Sequence, residues 1–520
     1  MTAESIKDSF KMLQKSEKDT VQILLEEDIL VPDSKPDLSK IVSIDGKMNV
    51  IDREVDTNGT QISGKIEVKL MYIPMTETDD FPLIPMDAVI DFKHELDYPV
   101  SDKSELEVIG NVEHMDFEIV NERKLRVKAV SNITSRLYDK LNVDLFSNPD
   151  EEMQLLKSEA MYTDIIEKKK APIDIREELT VKEGMPEIGK ILNWDISIIE
   201  NQKQLVQERA VINAEVQYNI LYLSEEVEPA PVLFRDKSEF TQFIDIKDND
   251  DITDSKVEFL LKHSDINVKN DTNDNMTIFE VTIDIITNLE ILKTKTQEFI
   301  VDAYNPQKQI EAQKDKIECK LLSGKSAADV QIKEILNVPD NLPDMEKIIY
   351  TTAKVFETGN IVENGKNIIE GILSTNILYL SNEGNRKTYG FTEEIPFRHV
   401  IEISGLSSEK DVEHEITVRR LDFETINSKQ LEINADVYIK SAAYKRESYE
   451  VLTHALTVDA DVSIEENPSI ILYVTKKGDS LWKIAKNYRT TIEEIKTINN
   501  ISDSSDIKSG EKLILLKNCQ

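Results

Sequence analysis

Basic residues are the first shortage. Lys and Arg total 63 against 99 Asp and Glu, a formal net charge of −36 over 520 residues. Nucleic-acid binding needs a basic footprint to neutralise phosphates, and adhesion to anionic lipid needs the same, so neither partner fits this chain. Cysteine is nearly missing: only Cys319 and Cys519 occur, which excludes a disulfide framework. Glycine (15) and proline (16) are too sparse for a collagen-like or low-complexity chain. No run of about 18 apolar residues occurs, so no membrane span is expected. The opening MTAESIKDSFKMLQKSEKDT lacks the apolar stretch of a secretory signal, and a cytosolic chain is expected. What the chain does contain is 40% hydrophobic and 31% charged residues, the balance of a globular protein with real cores. At about 150 residues per domain, three or four domains are expected.

Internal repeats organise most of that length. KPDLSKIV from Lys35, MPEIGKIL from Met185 and LPDMEKII from Leu342 each precede a run ending in LMYIP, ILYLS and ILYLS respectively. The registers agree without gaps. Pro36, Pro186 and Pro343 correspond, as do Lys40, Lys190 and Lys347, then Ile41, Ile191 and Ile348. The same offsets relate Ile62, Ile212 and Ile369, then Tyr72, Tyr222 and Tyr379, and upstream Val31, Val181 and Val338. Each copy alternates apolar with polar residues, as in Ile62, Gly64, Ile66, Val68, Leu70 and Tyr72, the period of a strand with one buried face. A small residue recurs at Gly64, Ala214 and Gly371, which signals close approach of another group. Later segments such as MDFEIVNERKLRVKAV and LDFETINSKQLEINADV also match, and Asn/Asp clusters between runs suit hairpin loops.

The expected fold class is therefore mainly β. Three tandem antiparallel domains, sandwich- or barrel-like, are expected over residues 1–150, 151–304 and 305–468. A short helix is expected after each Pro-Asp/Glu pair, where Pro suits the first turn and the acid suits the dipole. EEMQLLKSEAMYTDIIEKKKAP, from Glu151, and NPQKQIEAQKDKIECKLLSGKSAAD, from Asn305, read as polar linkers, helical or loose. Residues 2–18 read either as an amphipathic helix with Ile6, Phe10 and Leu13 on one stripe, or as a terminus that frays or packs on the first copy.

The text changes from Ile470. Leu481, Ile484, Ala485 and Tyr488 fall on one helical face. Asp479 or Ser480 can cap that helix. Thr491 and Glu494 form a capping box for a second, and Gly510 turns into the apolar strand LILL. Together with Tyr473, Val474, Gly478, Asn499, Ile507, Leu513 and Ile514, these residues resemble a LysM domain over 470–518. The resemblance implies a small βααβ fold that binds N-acetylglucosamine chains in a groove between two loops. Mapped here, those loops give Gly478, Asp479, Ser480 and Leu481, with Asn500 and Ile501, as binding residues. Trp482 lies off the buried stripe, so it is either an exposed anchor or a cover for the edge of the small core. Nine basic and six acidic residues give this segment a net charge of +3, which either suits an acidic partner or only solvates the domain.

Catalytic and metal signatures are wanting. His94, His114, His263, His399, His414 and His454 show no ligand spacing and read as surface or loop residues. GNIVENGKN, from Gly359, departs from a P-loop in spacing and reads as a hairpin loop. DNDDITDS and NDTNDN lack the glycine and terminal Glu of an EF-hand and read as hairpin tips. No cofactor and no enzymatic activity are expected.

The three Pro-Asp/Glu-x-x-Lys-Ile segments with their Tyr-ended strands, followed by the LysM-like module, resemble the SPOCS-type spore-coat proteins of spore-forming Firmicutes. Some such proteins carry one repeat region and a long acidic linker. This chain has more repeats and no such linker. The resemblance implies a non-enzymatic coat morphogenetic scaffold in the mother-cell cytoplasm, at the forespore surface. Its implied partner is the coat-basement ATPase SpoIVA, held by the LysM module, with other coat proteins as further partners. Peptidoglycan binding through the LysM groove is the alternative. A cytosolic module does not meet mature peptidoglycan, which favours a protein ligand.

Overall fold

The computed structural model describes residues 8–55, 59–75, 83–96, 104–147, 152–247, 250–383, 387–407, 411–458, 470–502 and 507–516. Each repeat supplies six strands. The first holds β1 (Asp8–Leu30), β2 (Leu38–Val55), β3 (Thr60–Pro74), β4 (Ile84–Leu96), β5 (Ser104–Asn121) and β6 (Lys124–Leu145). The second holds β7 (Gln154–Thr180), β8 (Ile188–Val206), β9 (Arg209–Ser224), β10 (Pro231–Asp245), β11 (Asp254–Asn270) and β12 (Met276–Tyr304). The third holds β13 (Gln309–Asn337), β14 (Lys347–Glu363), β15 (Lys366–Ser381), β16 (Lys387–Glu402), β17 (Asp411–Asn427) and β18 (Gln430–Val458). Every repeat forms the same two antiparallel sheets: first strand–sixth–fifth, and second–third–fourth. The two sheets face each other over one core, as Ile29, Val127 and Leu125 do with Ile62, Ile66 and Tyr72 in the first repeat. Each repeat is thus a β-sandwich.

The repeated residues have structural reasons. The buried hydroxyls of Tyr72, Tyr222 and Tyr379 donate to the carbonyls of Pro36, Pro186 and Pro343 at 2.7, 2.8 and 2.9 Å. Each bond ties the loop before the second strand to the end of the third. A Cβ on Gly64 would lie 2.2 Å from the Asn49 carbonyl oxygen and 2.7 Å from the Phe92 ring. On Gly371 it would meet the Phe397 ring at 2.5 Å. Ala214 is paired with Phe240 at the corresponding place.

Three sequence expectations are corrected. The expected short helices are absent: a turn after Val31, Val181 and Val338 runs straight into the second strand. Ile6 lies outside the described residues, but Phe10 and Leu13 belong to a strand, not a helix. Both supposed linkers are the first strands of the second and third repeats. Each of these long strands serves two cores. In β7, Ile175 and Leu179 fill the sandwich while Ala160 and Tyr162 fill a separate cluster. Between them lies the polar stretch Glu167–Lys170, which disguised the strand. An extra residue bulges each first strand at the same place, at Ser16, Ile166 and Ser323, and bends it between its two destinations.

The repeats close on themselves. The fourth strand of each contacts the second strand of the next: β4 with β8, β10 with β14, and β16 back to β2. Two apolar hubs draw equivalent residues from all three. One contains Phe10, Ala160 and Ile317 with Met12, Tyr162 and Cys319. The other contains Val42, Leu192 and Ile349 with Met71, Leu221 and Leu378. Val42, Leu192 and Ile349 are themselves the extra residues of bulges in the second strands. The bulge turns a side chain out of its own sandwich and into the shared hub. The result is a three-fold pseudosymmetric body.

Candidate functional site: the terminal module and its seat

The last segment forms β19 (Ile470–Val474), α1 (Leu481–Tyr488), α2 (Ile492–Asn499) and β20 (Lys512–Leu516), with β19 and β20 antiparallel. Ser480 is the N-cap of α1, its hydroxyl accepting from Lys483 N. Thr491 and Glu494 make the complete capping box of α2. Leu481, Ile484, Ala485 and Ile495 pack on Leu513 and Leu515. The Asn499 side-chain amide donates to the Ile514 carbonyl at 2.8 Å and its oxygen accepts from Ile514 N at 2.7 Å, closing the outer edge of β20.

Most of the predicted loop residues hold the module's own turns. Gly478 has φ of 90°, where a side chain would strain the backbone. Asp479 accepts from the Tyr473 hydroxyl at 2.7 Å and Lys476 N at 2.8 Å, and the Tyr473 hydrogen bond holds its carboxyl below the usual range. Asn500 is the left-handed C-cap of α2, and Ile501 packs on the core. Leu481 is buried. Of the predicted binding residues, Gly478 and Asn500 are exposed; residues 503–506 lie outside the described residues.

Of the two readings of Trp482, the structure has the covering residue and not the exposed anchor. Only 8% of it is exposed. Its ring meets Tyr304 edge-on, with centroids 4.9 Å apart, and its Nε1 donates to Asp302 Oδ2 at 2.8 Å. Asp302 also receives Lys486 Nζ at 2.7 Å and pairs with Lys314 at 3.5 Å. The Tyr304 hydroxyl donates to the Thr490 carbonyl at 2.8 Å. The module is therefore seated on the end of β12, with α1 facing the repeats. Burial pushes the Asp302 carboxyl up, but the Lys486 and Trp482 hydrogen bonds outweigh it and hold the group below its ordinary range. The partners of Trp482 stand 180 and 178 positions upstream, beyond any local pattern.

The opposite face is open. Ile470, Leu472 and Val474 pair with Leu516, Ile514 and Lys512 across the two strands, so all six side chains share one side. The five aliphatic ones are exposed, Ile470 and Leu472 by 65% and 62%. Sequence reasoning missed this surface, although IILYV and LILL are apolar at successive positions, more than a one-faced strand requires.

A cavity of about 860 Å³ lies elsewhere, lined by strands of all three repeats. Its charges are paired between repeats. Glu413 bonds Lys15 and lies 3.2 Å from Lys256; Arg136 grips Glu258 at 2.8 and 3.0 Å; Glu200 takes Lys440 at 2.8 Å. Burial pushes the Glu413 carboxyl up, but Lys256 and Lys15 overcome this and hold it down to about 2. His414 is here too, not on the surface: its ring nitrogens face Asn367 at 3.1 Å and Ser441 at 2.9 Å. No group of His, Cys, Asp or Glu among the described residues has the geometry of a metal site. Ion pairs of this kind join the repeats.

The comparisons agree with this division. Residues 37–120, 187–269 and 344–426 each match the family described as SipL, SPOCS domain. Residues 473–515 match the LysM domain. No curated protein and no solved structure matches the chain. The chain is thus a sporulation coat-associated protein built of tandem SPOCS domains and a LysM module. Three SPOCS domains followed by a terminal LysM domain is the SipL architecture, and this chain has it. SPOCS and LysM domains are binding and scaffold domains. No helix among the described residues is long and apolar enough to cross a membrane.

Proposed function

We propose that this chain is a coat morphogenetic scaffold that tethers the spore coat to the forespore surface, from the mother-cell side, by binding a SpoIVA-like ATPase through its LysM module. The function has no catalytic step. The observation that carries this reading is the exposed aliphatic face formed by Ile470, Leu472, Val474, Ile514 and Leu516. Sugar rings are usually held by aromatic stacking and polar groups, whereas a contiguous aliphatic surface suits a protein interface. The module's only tryptophan is already engaged by Asp302 and Tyr304. The +3 charge of the module beside an acidic body also favours an acidic protein surface.

The test is capture of purified SpoIVA by the full chain and by the double variant Leu472→Asp, Ile514→Asp. Both side chains point outward, so the variant should keep its circular-dichroism spectrum while retention falls at least tenfold. Undiminished retention would remove the aliphatic face from the reading. Retention by peptidoglycan sacculi with none by SpoIVA would replace it with glycan binding around Gly478 and Asn500.

A further inference from the structure

The third repeat does not reproduce Asp302 and Tyr304. Counting from the equivalent hub residues Phe299 and Val451, the third repeat places His454 and Leu456 there. Neither offers a carboxylate or a phenol. The second repeat thus carries an acceptor and a ring at the end of its last strand that the third lacks. Both are engaged by α1 and the turn that follows it.

We infer that Asp302 and Tyr304 form an intramolecular latch that holds the LysM module in one orientation, with Trp482 as a positioning residue and not a partner contact. The inference rests on the proposed function only for its consequence: a latched module presents its aliphatic sheet face outward. The latch has four connections. Trp482 Nε1 and Lys486 Nζ both donate to the Asp302 carboxylate. The Tyr304 hydroxyl holds the Thr490 carbonyl, and its ring closes on the indole edge. Leu156, on the adjoining β7, packs against the same cluster. Lys314 of β13 approaches Asp302 from the third repeat, so the carboxylate joins three parts of the chain. Removal of Asp302 strips the indole N–H and the Lys486 ammonium of their acceptor together. A buried donor left without a partner is costly, which drives the indole back to water.

The experiment labels the full chain with 5-fluorotryptophan. Two fluorine resonances result, one from Trp482 and one from Trp194, which sits in the body under Lys69. A soluble paramagnetic probe then reports solvent access to each. In the wild type the Trp482 resonance should be protected. In Asp302→Ala and in Tyr304→Leu it should broaden at least threefold more, with the Trp194 resonance unchanged as the internal check on the body's fold. Lys486→Met should give a smaller change in the same direction. A Trp482 resonance equally protected in the wild type and in Asp302→Ala would overturn the latch. So would one fully accessible in the wild type. The measurement uses no partner, so its failure leaves SpoIVA binding standing. Loss of SpoIVA binding would likewise leave the latch standing.

Discussion

At the residue scale, the triplicated positions are fold-keeping devices. A tyrosine hydroxyl buried among apolar neighbours requires an acceptor, and a proline carbonyl in a turn supplies one. The Tyr222 hydroxyl is an example, with burial pushing its pKa up to about 12. We expect Tyr222→Phe to destabilise the body by about 1–2 kcal/mol, because it removes the donor and orphans the Pro186 carbonyl. Urea titration followed by circular dichroism measures this; an unchanged midpoint would mean that the repeated Tyr–Pro pair contributes nothing beyond packing. The glycines are similar in kind. Gly64 and Gly371 are small because a phenylalanine ring from the neighbouring strand already fills the space a Cβ would need. These signals were readable in the sequence as identities, but their partners were not, since each bond spans 36 positions.

At the scale of elements, length is the decisive feature. β13 and β18 each run for 29 residues. One sandwich does not use so many. The excess carries Ile317, Cys319 and Val451 out of the third sandwich and into the shared hub. This explains why the supposed linkers looked polar: β13 lines a charged cavity at Lys325, Ser326 and Ala327, β7 carries the charged stretch Glu167–Lys170, and the far ends of both meet an apolar core. Phe10 belongs to this second set. It is 4% exposed and meets Tyr162 and Phe299 edge-on, both with centroids 5.1 Å away. Phe10→Ala should therefore cost about 3–5 kcal/mol, as for a ring lost from a packed core. Thermal melts of the full chain check this. A loss under about 1 kcal/mol would show the first strand to be dispensable trim.

At the scale of the whole molecule, the three sandwiches are bound by hubs and by a charge network. That network makes stability depend on acid. Glu413 has an ordinary value of 4.5 and is held at about 2 in the fold by Lys256 and Lys15, against its burial. Its unfolded form takes up a proton first as pH falls, so stability drops between about pH 4.5 and 2 and is fully present above that window. Glu413→Gln should lower stability at neutral pH, because two half-buried lysines lose their counter-ion. It should also flatten the fall below pH 4.5. Melting temperatures across pH 2–7 for both proteins would show it; parallel curves would mean that Glu413 does not titrate with folding. A ring of this kind also gives the LysM module a base, through Asp302 of the second repeat.

The sequence by itself determined the repeat count, the β class, the alternation of the central strands, the caps of both LysM helices and the absence of metal-ligand spacing. Apart from the repeat count, which is read from matching residues in the linear sequence, these are local: period two, period 3.6, and capping contacts within four residues. Sequence did not reveal that the polar segments were strands, that His414 was interior, or that Trp482 was seated on another domain. Those outcomes depend on groups far apart in the chain. Lys15 meets Glu413 across 398 positions, and Trp482 meets Asp302 across 180. A lysine run looks solvated until a carboxylate from another repeat arrives beside it, and an off-stripe indole looks exposed until a second surface covers it. Only the closure of three sandwiches into one body decided which side of the LysM module was hidden and which was left exposed.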